Sequence, residues 1–123
     1  MQNVAFVVPL LPGTEEEDRV EMHSCWRGER MQSHHEARAA LGITRESVWA
    51  QETPSGKVAI VYLEAEDLSR AFQGMATSNS PFDEWFRTHC LKVHGLDLTQ
   101  QFPPPELVLD YRRTESASGS ACS

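Results

Sequence analysis

One stretch constrains the fold more than any other, Ser80 to Leu98, reading SPFDEWFRTHCLKVHGLDL. Ser80-Pro81 is a helix start with proline near the first turn. Asp83 and Glu84 follow at the positive end of the helix dipole, and Gly95 supplies the stop. Between those signals Phe82, Trp85, Phe86, His89 and Val93 share one helical face. That face is first a packing surface that docks the helix on a sheet.

The rest of the chain supplies the sheet. Asn3 to Leu11 is nearly continuously apolar, as in a strand covered on both faces, and Pro12-Gly13 ends it. Thr14 stands three residues before Glu17, the spacing of a capping box, and a long helix is expected from there to about Leu41, closed by Gly42. Gly28 costs that helix about 1 kcal/mol relative to alanine and marks a kink or a close contact. Ile43 to Thr53 alternates and Pro54-Ser55-Gly56 turns. Lys57 to Glu64 is a second apolar strand, so the two runs form a hairpin. Asp67 caps a helix carrying Leu68, Ala71, Phe72 and Met75 at helical spacing. Thr77 to Ser80 interrupts it before the helix that starts at Pro81. Pro103-Pro104-Pro105 is a rigid lead into an expected last strand, Glu106 to Tyr111. One domain over residues 1–112 and a disordered Ser-rich tail over 113–123 follow from this pattern.

Composition narrows the function classes. A formal net charge of -7 argues against nucleic acid as partner, because phosphate contacts need a concentrated basic surface. No run approaches the roughly 20 apolar residues that span a bilayer. The opening MQNVAFVVPLLPG lacks a basic start and reads as a strand rather than a signal peptide. Cys25, Cys90 and Cys122 are an odd set without a CxxC, so a reducing, cytoplasmic setting is expected. No P-loop, GxGxxG, HExxH or GxSxG motif is present.

The element order β-α-β-β-α-β gives a ferredoxin-like α+β fold: a four-stranded antiparallel sheet with helices on one face. Strands 1 and 3 would be central. Their residues are apolar on both faces, so a homodimer pairing the uncovered sheet faces is expected. That fold and that need for a partner resemble the dimeric α+β barrel superfamily, which includes antibiotic-biosynthesis-type monooxygenases. GITRESVWAQETPSG, VYLEAED and SPFDEWFRTHCLKVHGLDL are similar to motifs of a small bacterial family of unknown function within it. The resemblance implies a pocket between sheet and helices, and a cofactor-independent monooxygenase-like enzyme acting there on a small molecule. The alternative is a non-catalytic ligand-binding or stress-related homodimer.

Several residues are candidates for that pocket. His89 points inward from its helix and His94 lies five residues on, so the two cannot share a metal as an i, i+4 pair would. They are the candidate catalytic residues. In haem-degrading relatives of the superfamily a histidine on this helix ligates iron, which makes haem the one cofactor to consider. No metal cluster is visible locally. The structural alternative is a histidine bonded to a backbone carbonyl, or one favoured by the helix C-terminal dipole. On the first helix His23, Arg27, Arg30, His34 and Arg38 fall within about 80° of one another if the helix is unbroken. His34, Arg27 and Arg30 are therefore candidates for an anionic ligand, against snorkelling stems paired with Glu64, Glu66 or Asp67. Trp49, Tyr62 and Trp85 are candidate pocket aromatics that serve equally as core or dimer interface. Cys90 lacks an activating base and reads as a plain buried thiol.

Overall fold

The computed structural model describes residues 1–100 and 103–113. Strand β1 (Gln2–Pro9) leads into helices α1 (Glu15–Arg27) and α2 (Met31–Ala40). The hairpin β2 (Ile43–Thr53) and β3 (Gly56–Ala65) follows, then helices α3 (Leu68–Thr77) and α4 (Pro81–His94). The three strands form one antiparallel sheet in the order β1-β3-β2. Phe6 lies opposite Val61 and Val4 opposite Leu63 on one side, with Val48 opposite Val61 on the other.

The observed order β-α-α-β-β-α-α corrects the ferredoxin-like expectation, and two residue-level causes account for it. At Gly28 the backbone is extended, and a Cβ there would lie 2.8 Å from Ser24 Cα. That close approach breaks the expected long helix into α1 and α2 and rotates the second half out of phase with the first. The fourth strand is also absent: among the described residues Glu106 to Tyr111 joins no strand and stays exposed. Three prolines in series lack amide donors and favour an extended lead, so the chain does not fold back onto β1. β1 is therefore an edge strand, and β3 alone is central. An open three-stranded sheet of this kind does not close a barrel, so the resemblance to the dimeric α+β barrel superfamily does not hold for this chain.

Other boundaries match the sequence. Asp67 accepts from Arg70 N to cap α3, and Ser80 accepts from Asp83 N to cap α4. Gly42 and Gly95 take left-handed backbone at φ 73° and 65°, a region glycine enters without steric cost. Thr14 departs from the capping box. Its hydroxyl donates to the Leu11 carbonyl at 2.7 Å and leans to the Val93 carbonyl at 3.3 Å, tying the end of β1 to α4.

The helices cover one face of the sheet. Ile43, Leu63, Ala65, Ala71 and Met75 form the main core, with Val8, Leu10 and Ala59 beside it. A third cluster joins Cys25 of α1, Ala37 of α2 and Phe82 of α4. Leu63 and Val93 are buried outright, each worth about 1.5–3 kcal/mol of removed apolar surface. A register irregularity between Ile43 and Arg45 sets which side chains reach the helices. One extra residue there reverses the alternation. Ile43 and Glu46 both face the helices, and Trp49 is turned to the uncovered face.

Candidate functional site

The polar chemistry concentrates where α1, α2 and α4 meet β2. His89 Nε2 lies 2.8 Å from Asp18 Oδ1, and the two side chains are only 3% and 9% exposed. Trp85, one turn back on α4, stacks on the imidazole with ring centroids 5.3 Å apart. The Arg30 guanidinium lies over the Trp85 ring at 4.0 Å and is held by Glu21 at 2.7 Å and by the Ser24 hydroxyl at 3.0 Å. His89, Trp85 and Arg30 are thus brought together as a stack, with Asp18 as an unforeseen fourth member.

A second buried network adjoins it. Arg38 makes two hydrogen bonds to Glu46, from Nε at 2.8 Å and from Nη2 at 3.2 Å. His34 Nε2 reaches the same carboxylate at 2.8 Å. The remaining Arg38 nitrogen faces Asp83 Oδ1 at 3.8 Å, and both of these buried atoms lack a hydrogen-bond partner. Arg38 also lies over the Phe86 ring at 4.5 Å. Burial alone would raise the Glu46 carboxyl, but the Arg38 charge and the hydrogen bonds from His34 and Arg38 hold it down to about 2. This is a bidentate Arg–carboxylate lock between α2 and β2.

Not all predicted site residues join these groups. The Gly28 break dissolves the basic stripe: Arg27 lies over the Trp26 ring at 4.1 Å on the surface, and His34 turns to Glu46. The partner of this basic half is Glu46, not Glu64, Glu66 or Asp67. His94 Nδ1 donates to the Pro9 carbonyl at 2.7 Å, and burial lowers its pKa despite that bond. Trp49 and Tyr62 stand on the uncovered face, on the opposite side of the sheet from His89. The Tyr62 hydroxyl donates to Glu64 at 2.6 Å, which raises its pKa. The predicted pocket lining is therefore split by the sheet, and the reading as a monooxygenase-like enzyme with an enclosed pocket of those residues is overturned.

Among the described residues, two surface depressions bear on these elements. One of about 540 Å³ runs along α3 beside Leu41, Arg70 and Gly74, away from both buried networks. The other, of about 220 Å³, lies between α1 and the hairpin, with Leu10, Asp18, Met22, Trp26, Val48 and Lys57 among its walls. Asp18 links this groove to His89. Haem does not fit here: the His89 ring is buried, bonded through Nε2 to Asp18 and stacked on Trp85 inside the packed helices. Among the described residues no group of three or more His, Cys, Asp or Glu could hold a metal ion. Burial pushes the Cys90 thiol up to about 12 and raises that of Cys25, so neither is a ready thiolate nucleophile.

Asp18, Glu46 and Asp83 were the site residues that sequence reasoning missed. Asp18 and Asp83 look like first-turn acids favoured by the helix dipole, and only the packing of α1 on α4 reveals Asp18 as the partner of His89. Glu46 gave no such signal, standing in the polar run Thr44 to Ser47, and the irregularity at Thr44 decides its face. No family model and no curated protein matches this chain. The structure defines a small α+β domain with an open three-stranded sheet and a buried polar junction between its helices. Among the described residues no helix is long and apolar enough to cross a membrane.

Proposed function

We propose that the chain acts as a self-associating module, a homodimer formed through the uncovered face of its sheet. The observation that carries this reading is an apolar sheet face with no cover, on which Val7 is 60% and Trp49 52% exposed. Ala5, Val58 and Ile60 continue that face across β1 and β3, because alternate residues of paired strands point the same way. Arg45 and Glu64 flank Tyr62 on it, one positive and one negative, which suits a face that meets its own copy. Antiparallel sheets tolerate one solvated face when it is polar, and on this one Ala5, Val7, Val58, Ile60 and Trp49 form an apolar strip beside the polar residues of β2. Size-exclusion chromatography with light scattering tests the reading. The wild-type chain is expected at twice its 13.8 kDa mass, and Trp49→Asp at the single mass with its helical circular dichroism retained. A Trp49→Asp protein that elutes as the wild type refutes the sheet face as the contact.

A second reading concerns a ligand and is favoured by Asp18. Only one of its oxygens is assigned to His89, and the residue also lines the groove beside α1. A small, flat molecule with an N–H donor would set its apolar body against Met22, Trp26 and Val48 and donate to that carboxylate. His89 would then orient Asp18 through the contact of its Nε2 with Oδ1, as a positioning residue. Indole is a suitable probe. Millimolar indole should shift the amide resonances of Met22, Trp26 and Val48, and Asp18→Asn should weaken the effect. Unchanged spectra refute this reading.

A further inference from the structure

The segment Glu106 to Tyr111 has the pattern of a strand and no sheet to join. Leu107, Val108, Leu109 and Tyr111 are 76–85% exposed, an unusual load of apolar surface for a free arm. Leu107, Leu109 and Tyr111 recur at every second position, so an extended arm presents them on one side. Pro103 to Pro105 favour an extended lead into the arm.

The sheet offers two free edges, and their composition differs. β2 carries Arg45, Glu46 and Glu52, and charges along an edge discourage pairing. β1 from Gln2 to Pro9 carries none. Its Pro9 carbonyl is occupied by His94, and among the described residues no other outward backbone group of β1 is bonded to a further strand. β1 is also apolar on both faces, through Val4, Phe6 and Val8 toward the helices and Ala5 and Val7 on the open side. An added strand there finds neighbours whichever way its apolar side turns.

Area supports the same pairing. Strands of 8, 11 and 10 residues about 4.8 Å apart give roughly 460 Å² of flat face. Standard-size interfaces bury about 800 Å² per partner, so the face alone gives a weaker dimer and leaves a gap that further contact would fill. The four exposed arm residues carry on the order of 600 Å² more, enough to close that gap.

We infer that the arm Glu106–Tyr111 of one copy adds as a strand to the β1 edge of a second copy, and that the exchange is reciprocal. The inference rests on the self-association reading and names the element that completes it. Backbone hydrogen bonds from the arm would satisfy the β1 edge, and Leu107, Leu109 and Tyr111 would lie against its apolar side chains.

Cross-linking tests this in the full chain carrying Cys122→Ser, with Cys25 and Cys90 buried. One preparation carries Ala5→Cys and another Val108→Cys. Equilibrated together and treated with a short bismaleimide, they are expected to give a covalent dimer that neither preparation gives alone. A protein carrying both substitutions that links only within one chain overturns the inference, because the arm then pairs in cis. Leu107→Asp with Leu109→Asp provides the second arm of the test and is expected to raise the dimer dissociation constant at least tenfold. If that variant stays fully dimeric and the mixed preparations do not link, the arm exchange is wrong while the sheet-face dimer stands. A wild-type protein of single-chain mass sinks both.

Discussion

Glu46→Gln removes one negative charge from the best-defined polar contact in the molecule while keeping its shape. In the wild type Arg38 is 4% exposed, and its Nε and Nη2 are committed to Glu46. The drop of the Glu46 carboxyl from 4.5 to about 2 gives the size of the effect. At 1.36 kcal/mol per pH unit it corresponds to about 3 kcal/mol of folding stability carried by the ionised form. Because the folded pKa is depressed, that stability is fully present above the unfolded value of 4.5 and is lost as pH falls toward 2. Glu46→Gln should therefore be about 3 kcal/mol less stable at pH 7, a value within the range for stranding a buried charge. The gap should shrink progressively between pH 5 and pH 2, as the wild type loses the same charge. Urea unfolding followed by tryptophan fluorescence at pH 7, 5, 4 and 3 measures it, since midpoint and slope give the free energy directly. A constant gap across these pH values, or no loss at pH 7, refutes the assignment of Glu46 as an ionised partner of Arg38.

The remaining predictions concern thiols, ligand and assembly. Cys25 and Cys90 should react with a disulfide reagent at pH 8 only in denaturant, since burial raises both; fast labelling of the native protein would contradict their packing. Indole should shift groove resonances in the wild type and less so in Asp18→Asn. Trp49→Asp should yield single-mass protein, and Ala5→Cys with Val108→Cys should link only between chains.

Much of the fold was legible because local signals and tertiary packing agree. The α4 segment announced its cap at Ser80, its apolar face through Phe82 and Val93, and its glycine stop at Gly95, all of which the structure shows. The hairpin and α3 were equally plain, since β-branched runs and a capped helix need no distant contact to be recognised. The strand count failed for a different reason. Glu106 to Tyr111 has strand composition, but a strand exists only where an edge accepts it, and composition says nothing of whether the proline lead permits that. The barrel resemblance inherited the same error, because it presupposed the fourth strand.

The candidate site was half legible. Trp85 and His89 share the inward face that the α4 pattern gives, but Arg30 reaches Trp85 from the start of α2 and the partner of His89 lies 71 residues away on α1. Arg27 and His34 share one stripe only if the helix runs unbroken through Gly28, which the sequence marks as a kink or a close contact. Its close approach to Ser24 makes it a break. Trp49 and Tyr62 were placed near the histidines by strand adjacency alone. The extra residue near Thr44 turns Trp49 to the face opposite His89.

What covers the open face of the sheet decides how the molecule assembles, and the mass of the native protein in solution tests that most directly. Light scattering at micromolar concentration should give twice the 13.8 kDa chain mass for the wild type and the single mass for Trp49→Asp. A wild-type protein that remains at 13.8 kDa would leave Val7, Trp49 and the arm in water and would contradict the account.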